Sequence, residues 1–135
     1  MPKVSGEFSV RIAPESMSSV ANESSISRMS LDKQYSGPLT ASGRGEMLAF
    51  MNRDIGSGAY VAMERVQGTL DGLHGSFLLH HCGTMQRGTP GLTVAVVHDS
   101  GQDELAGLSG TLQIRIEEGK HYYDFDYTLQ TAPSA

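Results

Sequence analysis

Apolar and polar residues alternate along this chain in short stretches, and glycine or a polar cluster ends most of them. Strict alternation marks a strand with one buried face, because successive side chains of a strand point to opposite sides. On that pattern strands are expected at Val4–Ile12, Ile26–Tyr35, Gly43–Met51, Ala59–Gln67, Ser76–Cys82, Leu92–His98, Gly110–Glu118 and His121–Gln130. The serine-rich "PESMSSVANESS" has no period and reads as a loop, as do "NRDIGSG" and the glycine-rich "CGTMQRGTPG". No long helical period occurs. About eight short strands separated by glycine turns predict an all-β fold, one antiparallel barrel or sandwich over residues 1–135. Eight strands is about the size at which a barrel is either filled by its own side chains or holds one small ligand.

One turn sets a register. Asp71-Gly72 is a strong two-residue hairpin signal, since both central residues of the favoured turn need positive φ. A turn there pairs Leu70 with Leu73, Val66 with Phe77, Glu64 with Leu79 and Ala62 with His81. A weak repeat supplies the facing. "TLDGLHGSFLL" (Thr69–Leu79) resembles "ELAGLSGTLQI" (Glu104–Ile114), as if one hairpin turn were used twice. In the second copy Leu112, Ile114 and Ile116 share a face and Thr111, Gln113 and Arg115 the other. Transferred to the first copy, Phe77, Leu79 and His81 point inward, and His80 and Cys82 point out. Glu64 then shares the inner face with His81 as a diagonal neighbour, about 7–8 Å away at the backbone and within reach of long side chains. In the last strand His121, Tyr123, Phe125, Tyr127 and Leu129 form an aromatic face expected inside, and Tyr60 follows Glu64 in parity.

Composition narrows the function classes. The net charge of -5 argues against a nucleic-acid partner. No apolar run approaches the ~20 residues of a membrane-spanning helix. The start "MPKVSGEFSV" lacks the apolar segment of a signal peptide, and the single cysteine excludes an internal disulfide. The expectation is a cytoplasmic protein.

Motif chemistry is sparse. His80, His81, Cys82, His98 and His121 have no zinc-site spacing, and the facing argument sends His80 and His81 to opposite sides of one sheet. No metal is expected, and no cofactor motif stands out. "GSG" at Gly56–Gly58 lacks the helix and lysine of a phosphate loop, and "DSGQDE" falls short of a calcium loop. What remains is Glu64 with His81. An acid and an imidazole inside an apolar barrel are either a satisfied polar pair that fixes register or a general acid/base pair at a ligand pocket.

The blocks "GSGAYVAMERVQGTLDGLHGSFLLHHCGTM", "DELAGLSGTL" and "HYYDFDYTL", with the "GEM" of "GRGEML", "GEFSV" and "SRMSLDKQYSGPL", carry a resemblance over almost the whole chain. It is to an uncharacterised bacterial family of small proteins known only as a domain of unknown function, with a barrel similar to that of allene oxide cyclase. The resemblance implies a closed antiparallel barrel of about eight strands. It implies no activity, because a fold does not carry function. The leading expectation is a barrel interior that binds a small, mainly apolar molecule, with Glu64 and His81 as acid/base pair for an isomerase- or cyclase-like proton transfer. Tyr60, Phe77, Leu79, His121, Tyr123, Phe125 and Tyr127 would line it. The alternatives are a carrier without chemistry and a structural module with a filled core. A homo-oligomer is expected from the likeness.

Overall fold

The structure is a computed structural model and describes residues 2–130. Its strands are β1 (Lys3–Glu15), β2 (Ser27–Tyr35), β3 (Leu39–Asn52), β4 (Ser57–Leu70), β5 (Leu73–Gln86), β6 (Thr89–Val96), β7 (Gln102–Asp103), β8 (Leu108–Glu117) and β9 (Lys120–Leu129). Eight of them close an antiparallel ring in the order β1-β2-β3-β4-β5-β6-β8-β9, with β9 returning to β1. The short β7 stands outside the ring. It pairs only with Gly75 and Ser76 of β5, on the edge that β6 takes from Leu79 onward. Closure leaves the long strands no free edge, which is how barrels avoid edge-to-edge association.

The Asp71-Gly72 turn forms as expected, with φ of 49° and 83°, and joins β4 to β5. The register follows from it: Leu70↔Leu73, Val66↔Phe77, Glu64↔Leu79 and Ala62↔His81. Arg87-Gly88 (47° and 87°) and Glu118-Gly119 (53° and 80°) build the same two-residue turn between β5 and β6 and between β8 and β9. The loop expected over "CGTMQRGTPG" is therefore strand on both sides of a tight turn, paired as Thr84↔Gly91, Met85↔Pro90 and Gln86↔Thr89. Alternation vanishes there because most of these positions are exposed at the rim, so no buried face selects for apolar residues.

The repeat is a likeness of turns, not of hairpins. In the second copy the Leu108 N–H donates to the Leu105 carbonyl at 3.1 Å, and Gly107 has a positive φ of 86° while Ala106 does not. That turn links β7, outside the ring, to β8. What the copies share is a leucine at 1% exposure, Leu70 and Leu105, entering a reversal that closes the same packed end of the barrel.

Inner-facing side chains divide the barrel along its axis. At one end Phe77 stacks on Phe125 at 5.8 Å between ring centroids, Phe125 meets Tyr127, and Leu39, Leu70, Leu105 and Leu108 complete a sealed core. Toward the other end the same faces lose cover. On β8 Leu112 is 3% exposed and Ile116 is 66% exposed. The barrel is filled at one end and open at the other, with a layer of buried polar side chains between.

Candidate functional site

Glu64 lies in that middle layer, on the inner face of β4. Parity places Val66 and Ala62 on either side of it, both buried. Its carboxylate accepts three hydrogen bonds. Oε1 receives Lys33 Nζ at 2.8 Å and His81 Nε2 at 2.7 Å, and Oε2 receives the Tyr35 hydroxyl at 2.9 Å. Side-chain exposure is 0% for Glu64, 5% for Lys33 and 3% for His81. Gly43 on β3 makes the space. A Cβ at that position would stand 2.2 Å from Glu64 Oε2 and 3.0 Å from the Tyr35 ring.

Burial pushes the Glu64 carboxyl up, but the His81 hydrogen bond and the Lys33 charge outweigh it and hold the group below the ordinary carboxylate range. It is a carboxylate, so His81 Nε2 carries the hydrogen of their bond. Burial, reinforced by the Glu64 charge, drives the Tyr35 hydroxyl well above its usual value, so Tyr35 is a neutral donor. The Lys33 ammonium also lies 5.3 Å from the Phe8 ring centroid and 5.9 Å from that of Tyr35, within cation–π range.

Above this layer the barrel opens into a mouth of about 220 Å³, to which all eight ring strands contribute, from Val10 on β1 to His121 on β9. Lys33 and His81 line it, whereas Glu64 lies behind them. A second space of about 370 Å³ continues over the rim along Phe50, Met51, Met85 and Pro90, and shares Met47, Tyr60 and Leu92 with the mouth. Neither space has an acidic side chain in its wall.

The residues singled out in the sequence therefore separate. Glu64 and His81 meet, as the register required. Tyr60 and His121 join His81 at the mouth, and burial pushes the Tyr60 hydroxyl up. Phe77, Leu79, Tyr123, Phe125 and Tyr127 lie in the sealed core. The tyrosine hydroxyls there are used internally. Tyr123 donates to the Ser36 carbonyl at 2.7 Å and accepts from the Leu39 N–H at 3.0 Å. Tyr127 donates to the Asp71 carboxylate, and burial together with that bond pushes its hydroxyl up to about 12. His80 and Cys82 are exposed on the outer face. Among the described residues, no group of three or more His, Cys, Asp and Glu side chains converges as a metal site would need. Among the same residues, no helix is long and apolar enough to cross a membrane.

Lys33 and Tyr35 were not legible as partners of Glu64. The signal was parity. Leu31, Lys33 and Tyr35 share one face of β2, and the apolar members of that trio mark it as the inner one. A lysine on an inner face is rare unless it is paired, and Glu64 was the acid without a partner of opposite charge.

Together these features define a small closed β-barrel, packed at one end and open at the other over a buried Lys–Glu–His cluster. The chain belongs to the family described as protein of unknown function (DUF3224), whose profile matches residues 4–127. It is similar to a crystal structure of a DUF3224 protein of unknown function from Shewanella oneidensis MR-1. The two are 43% identical over 98% of this chain and 99% of that one, with a TM-score of 0.90. No curated protein is significantly similar to this chain. The resemblance read from the central block is thus borne out at the level of family and barrel.

Proposed function

We propose that the open end of the barrel binds a small, mainly apolar molecule with one polar group, which rests on the Lys33–His81 floor. The observation that carries this reading is the mouth itself: every ring strand lines it, its walls are apolar, and its base holds polar side chains that burial would otherwise disfavour. Alone, its ~220 Å³ falls short of the roughly 300–1,000 Å³ of most ligand sites, but the adjoining rim space extends it into that range. Lys33 and His81 are the groups that reach a ligand. Glu64 holds them in place and balances the Lys33 charge. An acid–base reaction at this site would run through His81, whose Nε2 is anchored and whose Nδ1 has no hydrogen-bond partner among the described residues.

The test fills the mouth. Leu92 stands in the wall shared by mouth and rim and is 44% exposed, so Leu92→Trp narrows the entrance with little cost to packing. Binding of an environment-sensitive apolar dye is measured by fluorescence titration on wild type and Leu92→Trp. Saturable binding by wild type that the variant loses is expected. Equal binding by both, or none by either, would leave the filled-core structural module as the better account.

A further inference from the structure

We infer that the polar group recognised at the floor of the mouth is a carboxylate. The inference rests on the ligand-binding reading above and names the ligand class. A molecule entering the mouth meets no acidic side chain in its walls. At the floor it meets Lys33, whose ammonium has one oxygen partner for three N–H donors. Beside it is His81, which lines the cavity, has spent Nε2 on Glu64 and has no partner at Nδ1 among the described residues. Both side chains are more than nine-tenths buried and are held by Glu64, so they are preorganised rather than recruited.

A carboxylate matches this pair in charge and in number of contacts. One oxygen accepts from Lys33. The second reaches His81 Nδ1, which donates when the imidazole carries its second proton, whether that proton comes from solvent or arrives with the acid itself. Hydrogen bonds to ionised groups in such a dry site are about twice as strong as neutral ones. An ammonium head would face Lys33 at short range and be refused. A hydroxyl could accept from Lys33 and donate to an unprotonated Nδ1, but it carries no charge to answer the ammonium. A phosphate dianion would bring a second negative charge, and no lysine or arginine besides Lys33 lines the mouth to meet it. The ligand class is therefore a monocarboxylic acid with an apolar body that extends past Tyr60 and Met47 toward the rim.

The experiment titrates octanoate, octanol and octylamine against the wild-type protein by calorimetry, so that the tail is constant and only the head changes. Octanoate should bind at least about tenfold more tightly than octanol, and octylamine should be the weakest. Two variants then move octanoate in opposite directions. Lys33→Met should cost about tenfold or more, and Glu64→Gln, which removes the negative charge behind the donors, should tighten it by about tenfold. Octanol, which carries no charge, should shift less than octanoate in both, and circular dichroism reports that each variant is folded. Octanol binding as tightly as octanoate to wild type would overturn the carboxylate inference and leave the proposed function standing. Failure of all three to bind would overturn both.

Discussion

Replacing Glu64 with glutamine keeps the shape of the side chain and removes its charge, leaving the Lys33 ammonium 5% exposed beside a neutral amide. At 2.8 Å and an effective dielectric constant of about 20, the Lys33–Glu64 attraction is worth about 6 kcal/mol before desolvation is counted. Desolvation of both groups cancels much of that, so the intact pair contributes little net stability. Breaking it from one side is different, because one charge then stays buried without its counter-ion at a cost of about 3–5 kcal/mol. Glu64→Gln should sit at that level, which for a chain of 135 residues lowers the melting temperature by about 10–18 °C. Lys33→Met should cost less, since His81 and Tyr35 continue to donate to the carboxylate. The double variant should be more stable than the sum of the two single losses implies, because no lone charge is left. Urea denaturation of the four proteins at one pH gives the cycle. Single losses below about 1 kcal/mol that simply add would show that the two groups do not act as a buried pair, and the account of the floor would fail.

Acid should weaken the protein through the same residue. The folded value of Glu64 lies below its unfolded value of about 4.3, so its contribution is complete above that pH and is lost as pH falls through the folded value. Other carboxylates, such as Asp124 beside Arg115, are lowered too, so the test is the difference between wild type and Glu64→Gln in urea midpoint across about pH 3–6. That difference should shrink toward acid, and a constant difference would contradict the assignment. Gly43→Ala should displace the Glu64 carboxylate from Tyr35, cost about 1–3 kcal/mol and be partly relieved by Tyr35→Phe, which thermal denaturation of the single and double variants would reveal. For the homo-oligomer expected from sequence, we propose a contact through the outer face of β3 and β4, where Leu48, Phe50, Val61 and Met63 are 41–52% exposed and Leu48 lies opposite Val61. Light scattering should give a mass above 14.5 kDa that Val61→Glu reduces to that value, and a monomeric wild type would remove the proposal.

The central hairpin was the most legible part of the fold because two local signals agreed. Asp71-Gly72 set the register and the alternation around Phe77 set the face, so the order of residues alone was enough to bring Glu64 and His81 together. Lys33 and Tyr35 were harder. They reach Glu64 across β3, through ring pairings such as Lys33↔Gly43 and Gly43↔Val66 that no short-range signal announces. The aromatic face of β9 was correctly inward, but parity says nothing about depth along the axis. Tyr123 and Tyr127 lie in the packed end, whereas His121 on the same strand reaches the mouth. The same blindness applied to β5, whose last residues are strand without a buried face to advertise it.

The ring is not equally strong all the way round. β3 and β4 are paired over fourteen positions, from Leu39↔Leu70 to Asn52↔Ser57, whereas β6 and β8 are registered through the single pair Ala95↔Thr111. Local opening should follow that difference, since segments with few ladder bonds separate at a smaller free-energy cost than the whole domain unfolds. Hydrogen exchange should report it. Amides along the β6–β8 border should exchange well before those of β3 and β4, and uniform protection around the barrel would refute this. Because β6 carries Leu92 into the mouth wall and Val94 opposite His81, the weakest join of the cylinder is also a wall of its cavity. A molecule wider than the static opening would have a route in there, by parting two strands rather than by squeezing past a rim.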